Sequence, residues 1–250
     1  MKNSGNTMLI TGGGSGIGKA LAEAFHAEGN KVIIAGRRAD ALEAVAKANP
    51  GMEFRTLDIA DAGSISAFAA ELVASFPDLN AVLNNAGIMK PEAIADAPDY
   101  LAIAEETIAI NLLGPIRLTA ALLPHLKTKA DATVLTVSSG LAFVPLALTP
   151  TYSATKAAIH SYSQSLRHQL KDTGIDVIEI APPYVQTELM GPGQAVDPRA
   201  MPLADFISEV MSILGSGARE EVIVERCKPL RFARENGKEA EVFAMVNSLH

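Results

Sequence analysis

Eight residues near the amino terminus, Thr11-Gly-Gly-Gly-Ser-Gly-Ile-Gly18, restrict what this chain can fold into more than any other segment. They follow the apolar run Met8-Leu9-Ile10 and precede the amphipathic stretch Lys19 to His26, an order that reads as strand, tight turn and helix start. Glycines let the backbone turn sharply and let an anion approach the peptide groups, while the unpaired N–H groups and positive dipole end of the helix face it. The spacing is Gly12-x-x-x-Gly16-x-Gly18, not the commoner Gly-x-Gly-x-x-Gly.

Short β-branched runs then alternate with helical patterns nearly to the end: Thr7 to Ile10, Lys31 to Ala35, Glu53 to Leu57, Ala81 to Asn84, Thr133 to Ser138, Asp176 to Ala181 and Glu221 to Glu225. Such alternation predicts an α/β fold, a three-layer doubly wound parallel sheet of about seven strands joined by right-handed crossovers. Val32-Ile33-Ile34-Ala35 and Ala81-Val82-Leu83 are apolar on both faces, as expected of strands covered above and below. Ligands of such sheets bind outside the carboxyl ends of the strands. The glycine turn, Arg37-Arg38, Asp58, Asn85-Ala86-Gly87, Ser138-Ser139 and Pro182-Pro183 each follow a predicted strand, so all six fall on that edge.

The 250 residues suit one domain, 1–250, burying roughly 70–75% of its unfolded surface. Within it, 188–215 is expected to form a substrate loop and helix, with Gly191 to Pro202, rich in proline and glycine, as a lid. The net charge of −7 gives no long-range attraction for nucleic acid. No purely apolar stretch reaches about 18 residues and no basic-then-apolar leader opens the chain, so a cytoplasmic protein with no membrane partner is expected. The single cysteine, Cys227, rules out an internal disulfide and reads as a packing residue. The histidines (His26, His125, His160, His168, His250) lack ligand-like spacing, and no metal is expected.

Chemistry concentrates after the fifth strand. Tyr152 and Lys156, four residues apart in a helical stretch, share a face, and an ammonium beside a phenol favours phenolate. Lowering a phenol by three pKa units takes about 4 kcal/mol and makes it an acid or base near neutral pH. Ser138 and Ser139 point to opposite faces of their strand, and period alone does not rank them. Asn111 lies in the apolar segment Ile108 to Leu113, where its amide either satisfies a local backbone group or holds a water.

Together, Thr-Gly-x-x-x-Gly-x-Gly at 11–18, Asp58, Asn-Asn-Ala-Gly at 84–87, Asn111, Ser139, Tyr152-x-x-x-Lys156 and the segment Pro182 to Thr187 resemble the short-chain dehydrogenases/reductases over nearly the whole chain. The resemblance implies a Rossmann fold and a catalytic set of Asn111, Ser139, Tyr152 and Lys156. Tyr152 would exchange a proton with the substrate oxygen, Lys156 hold the nicotinamide ribose and lower the tyrosine pKa, Ser139 orient the carbonyl or alcohol, and Asn111 position a water. It implies cofactor contacts from Gly12, Ser15, Gly16, Ile17, Gly18, Asp58, Ile59, Asn85, Ala86, Gly87, Pro182, Val185 and Thr187, besides Tyr152 and Lys156. Gly36 stands where similar NAD-specific proteins carry aspartate, so nothing there repels a 2′-phosphate. Arg37 can pair with that phosphate, helped by Arg38 and Ser15, and NADP(H) is the expected cofactor.

Pro183 replaces the family's usual glycine and removes an N–H beside the nicotinamide. Ile88, Met89, Leu141, Phe143, Val144, Tyr184, Leu189 and Met190 are expected around the reacting carbon, a pocket for an apolar or aromatic ketone, aldehyde or secondary alcohol, with Lys90 within reach. The tail, Glu221 to Glu225 and then Pro229 to Ala233, is loosely similar to a branch of oxidoreductases associated with D-alanine esterification clusters. Small residues on the Tyr152 helix (Ala154, Ala157, Ala158, Ser161, Ser165), with Leu118 and Leu122, suggest a homodimer or homotetramer. Two other readings remain: a nicotinamide-binding sensor or scaffold without turnover, and a sugar-nucleotide epimerase or dehydratase, for which the chain is short.

Overall fold

A computed structural model describes residues 2–95 and 100–248 of the chain, so His250 lies outside the described residues. Seven parallel strands, β1 (Thr7–Thr11), β2 (Lys31–Gly36), β3 (Glu53–Thr56), β4 (Leu79–Asn84), β5 (Ala132–Val137), β6 (Ile175–Ala181) and β7 (Glu221–Ile223), stand in the order 3-2-1-4-5-6-7. The order reverses between β1 and β4, which opens a crevice at their carboxyl ends. The helices are α1 (Gly16–Ala27), α2 (Ala39–Ala48), α3 (Ala62–Ser75), α4 (Tyr100–Ile108), α5 (Gly114–Leu126), α6 (Pro150–Leu170), α7 (Pro192–Ala195), α8 (Leu203–Gly215), α9 (Lys228–Arg231) and α10 (Glu239–Asn247).

Alternate side chains of one strand feed two cores. Met8 and Ile10 pack with Leu21 and Phe25 of α1 and Phe206 of α8, whereas Leu9 packs with Leu72 of α3 and Leu118 of α5. All three strand residues are fully buried, each contributing roughly 1.5–3 kcal/mol. This two-sided burial is why the strands read as continuous apolar runs.

Some expectations shift. β7 ends at Ile223 because the Glu225 N–H turns away to Glu209 of α8, donating at 2.5 Å to its carboxylate. Leu118 and Leu122 are fully buried among α3 and sheet residues of the same chain, which corrects their assignment to a subunit contact; Ala154, Ala157, Ser161 and Ser165 do face outward on α6. α4 and α5 are joined by a π-helical turn, Ala109–Leu113, into one helix, Tyr100–Leu126, long and apolar enough to cross a membrane by length and composition. Its Leu118, Leu122 and Leu126 are committed to the core. The segment Gly191 to Pro202 is more structured than a plain loop, containing α7 and pairing back through Met201 N–H to Tyr184 O (2.8 Å) and Gln186 N–H to Met201 O (2.9 Å). α8 gives Phe206, Val210 and Leu214 to the core, leaving Leu203 at its start to face the crevice.

Candidate active site

The glycine turn is fixed by close approach. Gly12 sits at φ +69°, and a Cβ on Gly18 would lie 2.3 Å from Asn85 Nδ2 and 2.4 Å from Gly12 O. No side chain fits there without moving backbone. The space is occupied by a clamp between β1 and β4: Asn85 Nδ2 donates to Thr11 O (3.0 Å), while Thr11 Oγ1 accepts from Asn85 N (3.0 Å) and Ala86 N (3.1 Å). α1 therefore starts at Gly16 with its first N–H groups open to the crevice, and Ser15, its N-cap residue, makes no side-chain cap. The Ser15 hydroxyl accepts instead from Arg38 Nη2 at 3.1 Å.

Two adjoining cavities run along this edge. The smaller, about 450 Å3, lies over the ends of β1 and β2, with Ser15, Gly36, Arg37, Arg38 and Ile59 on its walls. The larger, about 730 Å3, continues past Gly16, Ile17, Gly18 and Asn85 to Ser139, Tyr152, Lys156, Pro182, Val185 and Thr187. Gly12, Ser15, Arg38, Ala86 and Gly87 border both. Leu57 and Ile59 flank the smaller cavity, but Asp58 lines neither; it is exposed, and its carboxylate accepts from Ala60 N at 3.0 Å.

Tyr152 and Lys156 project from the first turns of α6 into the floor of the larger cleft. The Ser139 hydroxyl accepts from Leu141 N at 3.1 Å and lies near enough to the Tyr152 phenol to lower its pKa, which separates it from Ser138, whose buried hydroxyl has no partner among the described residues. Burial pushes the Tyr152 phenol up to about 12, against a smaller lowering by Ser139. Burial pushes the Lys156 ammonium down to about 8, partly offset by Glu179. The expectation that Lys156 lowers the tyrosine is thus corrected for the chain alone. Lys156 Nζ lies 5.5 Å from the Tyr152 ring centre and donates to Val137 O at 2.8 Å, and desolvation outweighs any charge it lends.

Asn111 sits in the π-helical turn, a local widening that re-aims side chains. Its amide closes a two-way bridge with Ile88, accepting from the N–H at 2.9 Å and donating to the carbonyl at 2.8 Å. Of the two alternatives left by the sequence, the side chain takes the backbone one. It braces the 85–88 segment and does not line either cavity.

Leu141, Tyr184, Leu189, Met190, Ile88 and Met89 all border the larger cleft. Phe143 and Val144 do not: Phe143 lies edge-on to His160 (4.9 Å) with the Arg231 guanidinium 4.9 Å from its ring, and Val144 is fully buried against Ala233 and Val242. Lys90 borders the cleft but is paired with Glu106 at 2.5 Å. Sequence reasoning missed Leu230, Met245 and Val246, which the tail brings to the same cleft; no local motif marks them. It also missed a charged cluster behind α6. Glu179, fully buried on β6, accepts from His160 Nδ1 at 2.8 Å, and Glu221 is held by Arg231 at 2.7 Å, with the three acid and imidazole ligand atoms within 4.8 Å of one another. Arg231 supplies the cation there.

Comparisons with known proteins agree with this arrangement. Residues 6–195 match the short chain dehydrogenase family. The chain is 39% identical over 236 residues, 93% of each chain, to an uncharacterized oxidoreductase, DltE, of Bacillus subtilis. It is 34% identical over 192 residues to the rat dehydrogenase/reductase SDR family member 7B, 73% of this chain and 58% of that one. Among solved structures, a short-chain dehydrogenase from Streptomyces avermitilis superposes with a TM-score of 0.82 at 27% identity, covering 95% of each chain. An alcohol dehydrogenase from Thermococcus sibiricus, complexed with 5-hydroxy-NADP, superposes with a TM-score of 0.77 at 25% identity, covering 88% of this chain and 95% of that one. By sequence match, strand order and the crevice at the reversal point, the chain belongs to the short-chain dehydrogenase family of oxidoreductases.

Proposed function

We propose that the protein is an NADP(H)-dependent oxidoreductase acting on a carbonyl/secondary-alcohol pair, with an apolar or aromatic ketone or aldehyde as substrate. The observation that carries this reading is the juxtaposition of Ser139 and Tyr152 on the floor of an apolar cleft, with the Lys156 ammonium one turn further along the same helix. The crevice suits a dinucleotide by its shape: a Cβ-free cradle at Gly12 and Gly18, open N–H groups at the start of α1, and two arginines at the end of β2. Gly12, Ser15, Gly16, Ile17 and Gly18 would hold the phosphates, Arg37 and Arg38 a 2′-phosphate, and Asn85 to Gly87, Pro182, Val185 and Thr187 the nicotinamide end. When bound, the nicotinamide supplies or accepts the hydride.

The chain's own groups carry the proton. At neutral pH a phenol with a pKa of about 12 keeps its proton, so Tyr152 stands ready to donate it to a carbonyl oxygen on reduction. Ser139, beside the same phenol, orients that oxygen. Lys156 keeps its charge below about pH 8 and directs a positive field at the site. Asn111 holds the 85–88 segment in register. With Lys90 paired to Glu106 and Glu188 on the rim, the cleft disfavours an anionic substrate.

We assign the covering role to residues 188–215, where Gln194 Nε2 donates to Val185 O at 2.8 Å and to Thr187 Oγ1 at 3.1 Å, tying the segment to the cleft wall. The exposed small residues of α6 suit a homodimer or homotetramer contact, and the free buried Cys227 suits a reducing cytoplasm. The test is NADPH oxidation across neutral ketones and aldehydes, with NADH as control. Turnover of apolar members with NADPH preferred supports the reading. A tenfold preference for NADH overturns the cofactor assignment, activity confined to strongly anionic substrates overturns the substrate class, and no turnover across the set favours a binding-only protein.

A further inference from the structure

The cleft has two apolar walls of different origin. One is Leu189 and Met190, after β6. The other comes from the last quarter of the chain, beyond the 6–195 span that matches the family: Leu230 of α9, with Met245 and Val246 of α10.

That second wall is built into the fold. Leu230 packs so closely on the strand end carrying Ser139 that a Cβ on Gly140 would lie 3.1 Å from its Cδ2. Val242 and Val246, one turn apart on α10, join Val144, Ala233 and Leu230 in a small separate core. Asn247 then locks the end of the helix to the loop leading into α6. Its Oδ1 accepts from Ala147 N at 2.6 Å and its Nδ2 donates to Pro145 O at 3.2 Å. Yet Met245 is 51% exposed, and Leu189, on the same cleft, is 40% exposed. A rigidly anchored helix thus holds a flexible thioether uncovered on a cleft that also presents the uncovered Leu189. A methionine so placed adapts to an apolar group of variable shape.

We propose that α10 is the specificity wall of the cleft: Met245 and Val246, with Leu230, grip an extended apolar substituent on the carbonyl carbon, and Asn247 is the positioning residue that holds the wall. The assignment rests on the reading of this cleft as the carbonyl site. The substituent is an unbranched chain several carbons long or an aryl group, since the wall stands at the mouth and not at the Tyr152 floor. It carries no negative charge there, because Lys90 is already paired and Glu188 repels anions.

The test compares kcat/KM for methyl ketones from 2-butanone to 2-decanone. In the wild type each buried methylene is expected to raise kcat/KM by about three- to fourfold until the wall is covered. Met245→Asp should lower the 2-decanone to 2-butanone ratio at least tenfold; Asn247→Ala should lower it in the same direction, and Asn247→Asp, which keeps the acceptor for Ala147 N, should restore part of it. Should Met245→Asp not fold, Met245→Gln serves with the same readout. A steep wild-type series left unchanged by these variants overturns the proposal, as does wild-type turnover with no chain-length dependence, which leaves the carbonyl reading intact. If no ketone is turned over, the carbonyl reading fails, and the wall is judged by titrating the neutral fluorophore N-phenyl-1-naphthylamine with 1-decanol as competitor. At least tenfold weaker fluorophore binding in Met245→Asp supports the wall, and unchanged or undetectable binding in the wild type overturns it.

Discussion

The buried ammonium of Lys156 should destabilise the very fold that positions it, and Lys156→Met exposes the cost as a pH-dependent difference. The group is 4% exposed, and burial lowers its pKa from 10.5 to about 8. A depressed lysine means that the unfolded chain holds the proton more tightly than the native one between those two values, so stability rises with pH across that window. Below pH 8 both states are protonated and the full penalty is present, about 3 kcal/mol for a shift of this size. It then fades as the native amine loses its proton. Tyr152 and Cys227, each held up to about 12 by burial, act with opposite sign at higher pH, since the unfolded chain loses those protons first. Subtracting the wild-type curve from that of Lys156→Met removes both.

The hydrogen bond to Val137 O survives deprotonation, because a neutral amine still donates, so its loss in the variant adds a constant offset. What remains is a slope: the advantage of methionine over lysine should shrink by about 2 kcal/mol between pH 7 and pH 9.5. Urea unfolding followed by far-ultraviolet circular dichroism measures it, as the chain has no tryptophan to report by fluorescence. Parallel stability curves, differing by less than about 1 kcal/mol across that range, would refute the claim that desolvation sets the state of this lysine.

Tyr152→Phe keeps the ring packed but removes the proton; kcat should fall by about 10²–10⁴ while the NADPH dissociation constant, read by fluorescence of the bound cofactor, stays within about threefold. Comparable turnover in the variant would show that the proton comes from elsewhere. Arg38→Ala removes both a charge at the smaller cavity and the bond to Ser15, and NADPH should bind about 10- to 100-fold more weakly with NADH little affected. Equal losses for both cofactors would disconnect Arg38 from the 2′-phosphate. Gly18→Ala drives a Cβ against Asn85 Nδ2 and Gly12 O, and should lower stability by about 1–3 kcal/mol and weaken dinucleotide binding; an unaltered urea midpoint with normal binding would show that the turn yields freely.

The sheet was legible because both of its faces are buried. Runs such as Val32-Ile33-Ile34 have no polar face to confuse with a helix, and this one ends in Gly36 at the crevice edge. The motif residues Gly12, Gly18 and Asn85 were legible for a related reason: each has a local backbone duty that only its residue type performs, a left-handed turn, a missing Cβ, or an amide clamp to Thr11. What escaped was whatever depends on a distant segment meeting the site. Phe143, four residues past Ser139, reads as a pocket aromatic from its neighbours in sequence, yet His160 and Arg231 enclose it. Met245 and Val246, about ninety residues past Tyr152, arrive only because Asn247 pins their helix to Ala147 and Pro145. Electrostatics escaped in the same way. Four-residue spacing places the ammonium of Lys156 near the phenol of Tyr152, but it says nothing of the water excluded around both, and that exclusion decides the sign of the tyrosine shift. Floor and cradle are therefore local features of a short-chain dehydrogenase sequence, whereas the wall that selects among substrates is tertiary, free to vary without disturbing a residue that the motifs record.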